Sequence, residues 1–216
     1  MDKIFVDVDV QRDFCEANGA LYVPGSPNDV FRKLVQYARD QRIPILGSVD
    51  SHAWDAWEFA SSDTRGPNGE KPNFPDHCVK GTPGWLKVDG TLPQRFRFVP
   101  NVTSAPIDDI VGEVSSGQTC GVYFEKEVYS MFANHLAESF IAKLLKLAET
   151  NPQFYVFGVA TDYCVKAAAL GLAQRGYRTI LLTDAIAGIT PDGVKQAMDE
   201  MRDAGVDFAT TQRLFS

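Results

Sequence analysis

The chain has 216 residues, 44% of them apolar, which suits a single α/β domain with a large core and leaves too little for two. Lys plus Arg number 21 against 28 for Asp plus Glu, a net charge of −7, and no basic run offers itself to a phosphate backbone, so a nucleic-acid partner is excluded. No stretch approaches the ~20 apolar residues of a membrane span. The N-terminus, MDKIFVDVDV, carries acids inside its apolar run and no small-residue cleavage site, unlike a signal peptide. Cys15, Cys78, Cys120 and Cys164 lie far apart with no CxxC pair, which argues against a disulfide scaffold or zinc ribbon and for a reducing cytoplasm.

In chain order, Lys3 to Val8 reads as a strand that runs into the polar cluster Asp9, Gln11 and Asp13. Ser26-Pro27-Asn28-Asp29 predicts a helix start, with Ser26 as N-cap, Pro27 at the first helical position and Asp29 reaching back. Phe31, Leu34, Val35 and Ala38 form its apolar stripe. Ile43 to Val49 is a second strand, ending at Asp50, and strand–helix–strand is the crossover unit of a parallel sheet. From about 51 to 94 the chain makes a long irregular excursion holding all three tryptophans and two of the three histidines, the kind of loop that carries function. Next come a short strand pair around Phe96 to Val99, a helical turn near Ile107, and a strand from Cys120 to Glu125 that ends at Lys126. Phe132 to Ala148 reads as a helix with Leu136, Phe140, Leu144 and Leu147 inward. Phe154 to Val159 has the composition of a strand buried on both faces. After a turn of about four residues a helix starts near Val165 and stops at Gly176. Arg178 to Thr183 is a strand ending at Asp184, Thr190-Pro191 opens a helix with Val194, Ala197, Met198 and Met201 on one face, and Val206 to Ala209 is the last strand. The expected architecture is one three-layer α-β-α domain over 1–216, with a mostly parallel, roughly six-stranded open sheet and a long loop insertion at about 51–94.

Cys164, taken alone, reads as one more inert buried thiol. Its place in the first turn of a helix points the other way, because unpaired N–H groups and the dipole there favour a thiolate. Five strands deliver Asp9, Asp50, Lys126, Cys164 and Asp184 to the carboxyl edge of the sheet, where open α/β sheets bind ligands. A thiolate needs a cation and a base, and Lys126 and Asp9 are those types; a buried structural ion pair is the plainer account of the same two residues. Asp50 and His52 project to one side of an extended segment, and Glu58 and His77 can fold back to complete a set of two carboxylates and two imidazoles. Such a set suits Zn²⁺, Fe²⁺ or Mn²⁺ better than Ca²⁺, against the alternative of solvated surface side chains.

The segments Asp9-Val10-Gln11-Arg12-Asp13-Phe14, Asp50-Ser51-His52, His77-Cys78-Val79-Lys80-Gly81-Thr82-Pro83-Gly84 and Gly158-Val159-Ala160-Thr161-Asp162-Tyr163-Cys164-Val165 together resemble the nicotinamidases, a branch of the isochorismatase-like cysteine hydrolases, over about residues 3 to 190. The resemblance implies Cys164 as nucleophile, Asp9 as proton acceptor and donor, and Lys126 as the cation between them. It implies a divalent ion, Zn²⁺ before Fe²⁺ or Mn²⁺, on Asp50, His52, Glu58 and His77. It also implies a cis Val159–Ala160 peptide, an oxyanion hole from the backbone N–H groups of Ala160 and Cys164, and a substrate pocket formed by Phe14, Phe74, Tyr129, Val159 and Ala160. The expected reaction is hydrolysis of nicotinamide or another pyridine carboxamide through a thioester, in NAD salvage, with a small molecule as the only partner and self-association left open. Three positions depart from the commonest family pattern: Glu58 stands where a third histidine is frequent, Phe74 where Trp is frequent, and Glu127 to Asn134 follows the wider superfamily. A related amidase acting on a carbamoyl or ureido substrate, and a non-catalytic ligand-binding module, are the competing readings. No Gly-x-Gly-x-x-Gly follows the first strand, which argues against a dinucleotide site.

Overall fold

Alternate residues of the first strand face opposite layers, with Ile4, Val6 and Val8 in one core and Phe5 in the other. That double burial is what a central parallel strand requires. The computed structural model describes residues 1–71, 73–149 and 151–215. Its strands are β1 (Lys3–Val8), β2 (Ile45–Asp50), β3 (Phe96–Val99), β4 (Gly121–Lys126), β5 (Gln153–Val159), β6 (Thr179–Ala187) and β7 (Asp207–Ala209). They form one sheet in the order β3-β4-β2-β1-β5-β6-β7, and each neighbouring pair is parallel. The sheet therefore has one strand more than the rough count expected, and β3 is a single edge strand rather than half of a pair.

After the single-turn helix α1 (Arg12–Cys15), α2 (Asn28–Gln41) and the short α7 (Gln212–Phe215) cover one face, and α3 (Ile107–Ser115), α4 (Ala137–Ala148), α5 (Lys166–Gln174) and α6 (Pro191–Asp203) cover the other. The α2 stripe is the expected one: Phe31, Leu34, Val35 and Ala38 are buried, at roughly 1.5–3 kcal/mol for each large side chain. Its start differs from expectation. The Ser26 hydroxyl donates to the Val23 carbonyl, so it caps the turn before the helix, and Asp29 pairs with Arg32. Thr190 does cap α6, its Oγ1 accepting from the Gly193 N–H at 3.1 Å with Pro191 behind it. The helix expected from Phe132 is interrupted. A 3₁₀ turn at Met131–Ala133 gives way to α4 only at Ala137, because the buried Asn134 side chain bonds three backbone groups instead of continuing a helix. Leu147, near the end of α4, is 55% exposed.

From β1 the chain adds β2 beside it, goes out to the edge strand β3, returns to place β4 between β3 and β2, and then crosses to the other side with β5. The carboxyl ends of β1 and β5 thus flank the switch point where ligands bind in such sheets. Gly158 makes the approach possible: a Cβ there would lie 2.0 Å from the Val8 carbonyl oxygen, and its φ is +125°. Only glycine lets the end of β5 come so close to Asp9.

Candidate active site

Asp9 follows β1 with φ of 50°, which turns its side chain out of the strand alternation toward the ends of β2 and β4. The Ser48 hydroxyl donates to its Oδ1 at 2.8 Å. Lys126, the last residue of β4, is fully buried, with Nζ 2.8 Å from Asp9 Oδ2, 2.5 Å from Asp50 Oδ1 and 3.6 Å from Cys164 Sγ. Cys164 sits in a π turn, Thr161–Val165, that joins β5 to α5. Two features hold that turn. Val165 N–H reaches back to the Ala160 carbonyl at 3.1 Å, and the Asp162 carboxylate accepts from the N–H groups of Ile189 and Thr190 at the entrance to α6. The Val159–Ala160 peptide is cis.

Burial pushes the Asp9 carboxyl up, and the charge of Lys126 only partly offsets it. Asp50 is equally buried, but there Lys126 and the imidazoles of His52 and His77 outweigh desolvation and hold it well below the usual carboxylate range. Burial works against the Lys126 ammonium too, yet Asp50 and Asp9 keep its pKa well above the ordinary value. The Cys164 thiol is driven well above its ordinary value by burial, with Lys126 a partial counterweight and Asp9 and Asp50 adding to the rise. Desolvation and two nearby carboxylates thus act on the thiol against the helix-start argument for a thiolate. Asp9 offers a carboxylate oxygen within 4.8 Å of Cys164 Sγ, so a base stands beside the thiol across the shared ammonium.

The second cluster stands beside the first. Atoms of Asp50, His52 and His77 lie within 4.8 Å of one another. His52 Nε2 is 2.9 Å from Glu58 Oε1 and 3.6 Å from Asp50 Oδ2, while His77 Nε2 is 3.6 Å from the same Glu58 atom and 3.8 Å from the same Asp50 atom. Ligands about 2.0–2.2 Å from a common ion stand roughly 3–3.5 Å apart, close to this spacing. The donors are also prepared. His77 Nδ1 faces the Pro75 carbonyl at 2.7 Å, which leaves Nε2 with a free lone pair. His52 is buried with its Nε2 turned to the carboxylates of Glu58 and Asp50 and its Nδ1 without a hydrogen-bond partner, so Nε2 points where a cation shared with those carboxylates would sit. Two imidazoles and two carboxylates thus fit a divalent ion of the Zn²⁺, Fe²⁺ or Mn²⁺ kind. Without an ion, burial lowers the His52 pKa but the flanking Asp50 and Glu58 push it up to about 9.

A small cavity opens onto both clusters, lined among others by Asp50, Glu58, His77, Ala160 and Cys164. Phe14, Phe74 and Tyr129 line it as expected, the first two with ring centroids 5.4 and 6.0 Å from that of His77. Val159 does not: as the last strand residue it turns its side chain into the core under α2. Asp184 is also absent from the site. A register shift between Val156 and Gly158 lets β6 continue to Ala187, and the Asp184 carboxylate accepts from the N–H and hydroxyl of Thr211. Several residues at the site were not singled out from sequence, Leu21, Val23 and Val128 of the cavity lining among them. Tyr163, inside the cysteine motif, and Ile189 line the cavity, and Ser48, a hydroxyl in an apolar strand, holds Asp9. Only Ser48 carried a signal, a polar side chain where an apolar one is expected.

Residues 101–213 match the isochorismatase domain model. The chain belongs to the isochorismatase family. It is 29% identical over 214 residues to a nicotinamidase of Escherichia coli, covering 94% of this chain and 92% of the relative. Identity to a nicotinamidase/pyrazinamidase of Mycobacterium tuberculosis is 26%, covering 95% and 97%. Among solved structures, a pyrazinamidase of Pyrococcus horikoshii in complex with zinc superimposes with a TM-score of 0.72 at 26% identity, over 97% of this chain and 99% of that one. The family match begins after Asp9 and the metal-type ligands, so for those residues the geometry above stands beside full-length similarity to these relatives.

Proposed function

We propose that this isochorismatase-family member is a nicotinamidase, converting nicotinamide and water to nicotinate and ammonia. The observation that carries the reading is one ammonium, Lys126, joined to Asp9, Asp50 and Cys164 at the floor of a cavity that also receives His77 and Glu58. Cys164 Sγ attacks the carboxamide carbon, and its proton passes to Asp9 Oδ2 as the C–S bond forms. The N–H groups of Ala160 and Cys164 hold the oxyanion. Asp9 returns the proton to nitrogen as the C–N bond breaks and ammonia leaves. Water then adds to the thioester with loss of a proton to Asp9, the C–S bond breaks, and the proton goes back to sulfur. Lys126 stays protonated throughout and keeps the two carboxylates from repelling each other. Phe14 and Phe74 clasp the pyridine ring.

Asp50, His52, Glu58 and His77 would hold a divalent ion, for which we take Zn²⁺ first, with Fe²⁺ and Mn²⁺ as the other candidates. Such an ion would supply a Lewis acid beside the substrate ring, next to Cys164. We assign the activity to NAD salvage in the cytoplasm; among the described residues no helix is long and apolar enough to cross a membrane. The test is ammonia release from nicotinamide, with a carbamoyl or ureido amide in parallel. Turnover of the latter alone, untouched by chelation, would move the protein to the related amidases.

A further inference from the structure

Asp7 and Lys87 form a second buried ion pair, one the proposed reaction does not use. Lys87 Nζ is 2.6 Å from Asp7 Oδ1, with side chains 2% and 0% exposed. The Tyr123 hydroxyl donates to Asp7 Oδ2 at 3.5 Å, and the Tyr123 ring lies 4.8 Å from the ammonium. Asp7 is the next-to-last residue of β1, and Lys87 is on the return limb of the loop that bears His52, Glu58, Phe74 and His77.

A buried ion pair contributes little net stability, because desolvation offsets attraction; its best-attested use is to fix a register. Here a register is at stake. Residues 84–88 run antiparallel to 10–13: Asp13 N–H donates to the Gly84 carbonyl at 3.1 Å, Arg12 N–H to Leu86 at 2.9 Å, and Val88 N–H to Val10 at 3.1 Å. The Gln11 side chain adds one more bond to a backbone carbonyl, that of Trp85. Backbone partners are interchangeable under a slip of two residues, but Lys87 meets Asp7 in one register only. The same limb begins at His77, whose neighbour Cys78 is tied through its N–H to Asp13 Oδ2 at 2.7 Å. Three polar residues of the alternating run Asp7, Asp9, Gln11, Asp13 therefore hold this limb, and the fourth, Asp9, serves the cysteine.

We propose that the Asp7–Lys87 pair is a positioning device for the divalent-ion site: it sets the register of the return limb so that His77 meets Asp50, His52 and Glu58. The inference rests on the metal reading above. Its test is the double variant Asp7→Val with Lys87→Met, which removes both charges and leaves neither buried alone. Zn²⁺ affinity is measured on apo protein by competition with a chelating dye, alongside urea unfolding of the apo form and amide hydrogen exchange across 77–88. The expected result is apo stability equal to or above that of the unaltered protein, Zn²⁺ binding weaker by about 10–100-fold, and faster exchange in that limb. Unchanged Zn²⁺ affinity overturns the proposal, as does a loss of affinity matched by an equal loss of apo stability. If the unaltered protein binds no divalent ion, the metal reading itself fails, and that outcome is seen before any variant is made. Asp7→Asn with Lys87→Gln gives the same readouts should the first pair not fold.

Discussion

Asp9 and Asp50 share one ammonium and respond to it in opposite directions: Lys126 stands 2.8 Å from the first and 2.5 Å from the second, yet Asp9 is pushed up and Asp50 held low. The difference lies in the other neighbours. Asp50 also has two imidazoles beside it, whereas Asp9 has the negative charge of Asp50. Pairs of titratable groups pushed apart in this way mark acid–base assignments. In the proposed reaction Asp9 is accordingly the group that takes and returns the proton, and Asp50 the charged ligand.

The acid limb of kcat/KM for nicotinamide should accordingly lie above the ordinary carboxylate range and report Asp9. Ser48→Ala removes the hydrogen bond that favours the charged form, so the limb should move to higher pH. A limb that stays in place would mean another group titrates.

Stability against pH follows from the same two shifts, with opposite signs. The raised Asp9 contributes stability fully present below its unfolded value of 3.8 and lost as pH rises through its folded value. The depressed Asp50 contributes stability present above 3.8 and lost as pH falls through its folded value. Asp9→Asn should remove the first effect and keep the second, as read from urea midpoints between acid and neutral pH.

Cys164→Ala should lower nicotinamide turnover by about 10⁴-fold or more. Titration with nicotinate should still show binding, because Phe14, Phe74 and the ion-binding cluster are untouched. Turnover near that of the unaltered protein would eliminate the thioester route.

Lys126→Met should cost about 3–5 kcal/mol in urea unfolding, since it leaves two carboxylates facing each other in the interior. Lys126→Arg is not a gentle substitute, because a planar fork cannot reach Asp9, Asp50 and Cys164 as a compact ammonium does.

Much of this site was legible because short-range pattern and chemistry agreed. The run Phe154 to Val159 is apolar enough to be a strand, helical spacing resumes after it, and that brackets Cys164 in the connection. Asp50 and Lys126 end their strands as read. What was not legible depends on contacts between distant segments. Ser26 looks like an N-cap until Val23 supplies a nearer partner. Asp184 looks like a strand end until the irregularity opposite β5 carries β6 onward. The upward push on the Cys164 thiol comes from burial, which no local pattern conveys. The break in the helix predicted from Phe132 is of the same kind.

Asn134 makes that break, and its removal gives the last prediction. Its Nδ2 donates to the carbonyls of Val99 and Glu125 at 3.0 and 2.9 Å, and its Oδ1 accepts from Leu136 N–H at 3.0 Å, so one side chain ties the ends of β3 and β4 to the start of α4. The residue is 1% exposed, so water cannot replace these partners without opening the structure. Asn134→Ala leaves two carbonyls and an N–H unsatisfied, at about 1–3 kcal/mol for each group that stays buried. Relaxation should keep the total near the lower end, roughly 2–4 kcal/mol in urea unfolding. Glu125 precedes Lys126 in β4, so the loosened strand end should also lower kcat more than it raises KM. A variant as stable and as active as the unaltered protein would show that the 3₁₀ turn and α4 are positioned by their apolar contacts alone.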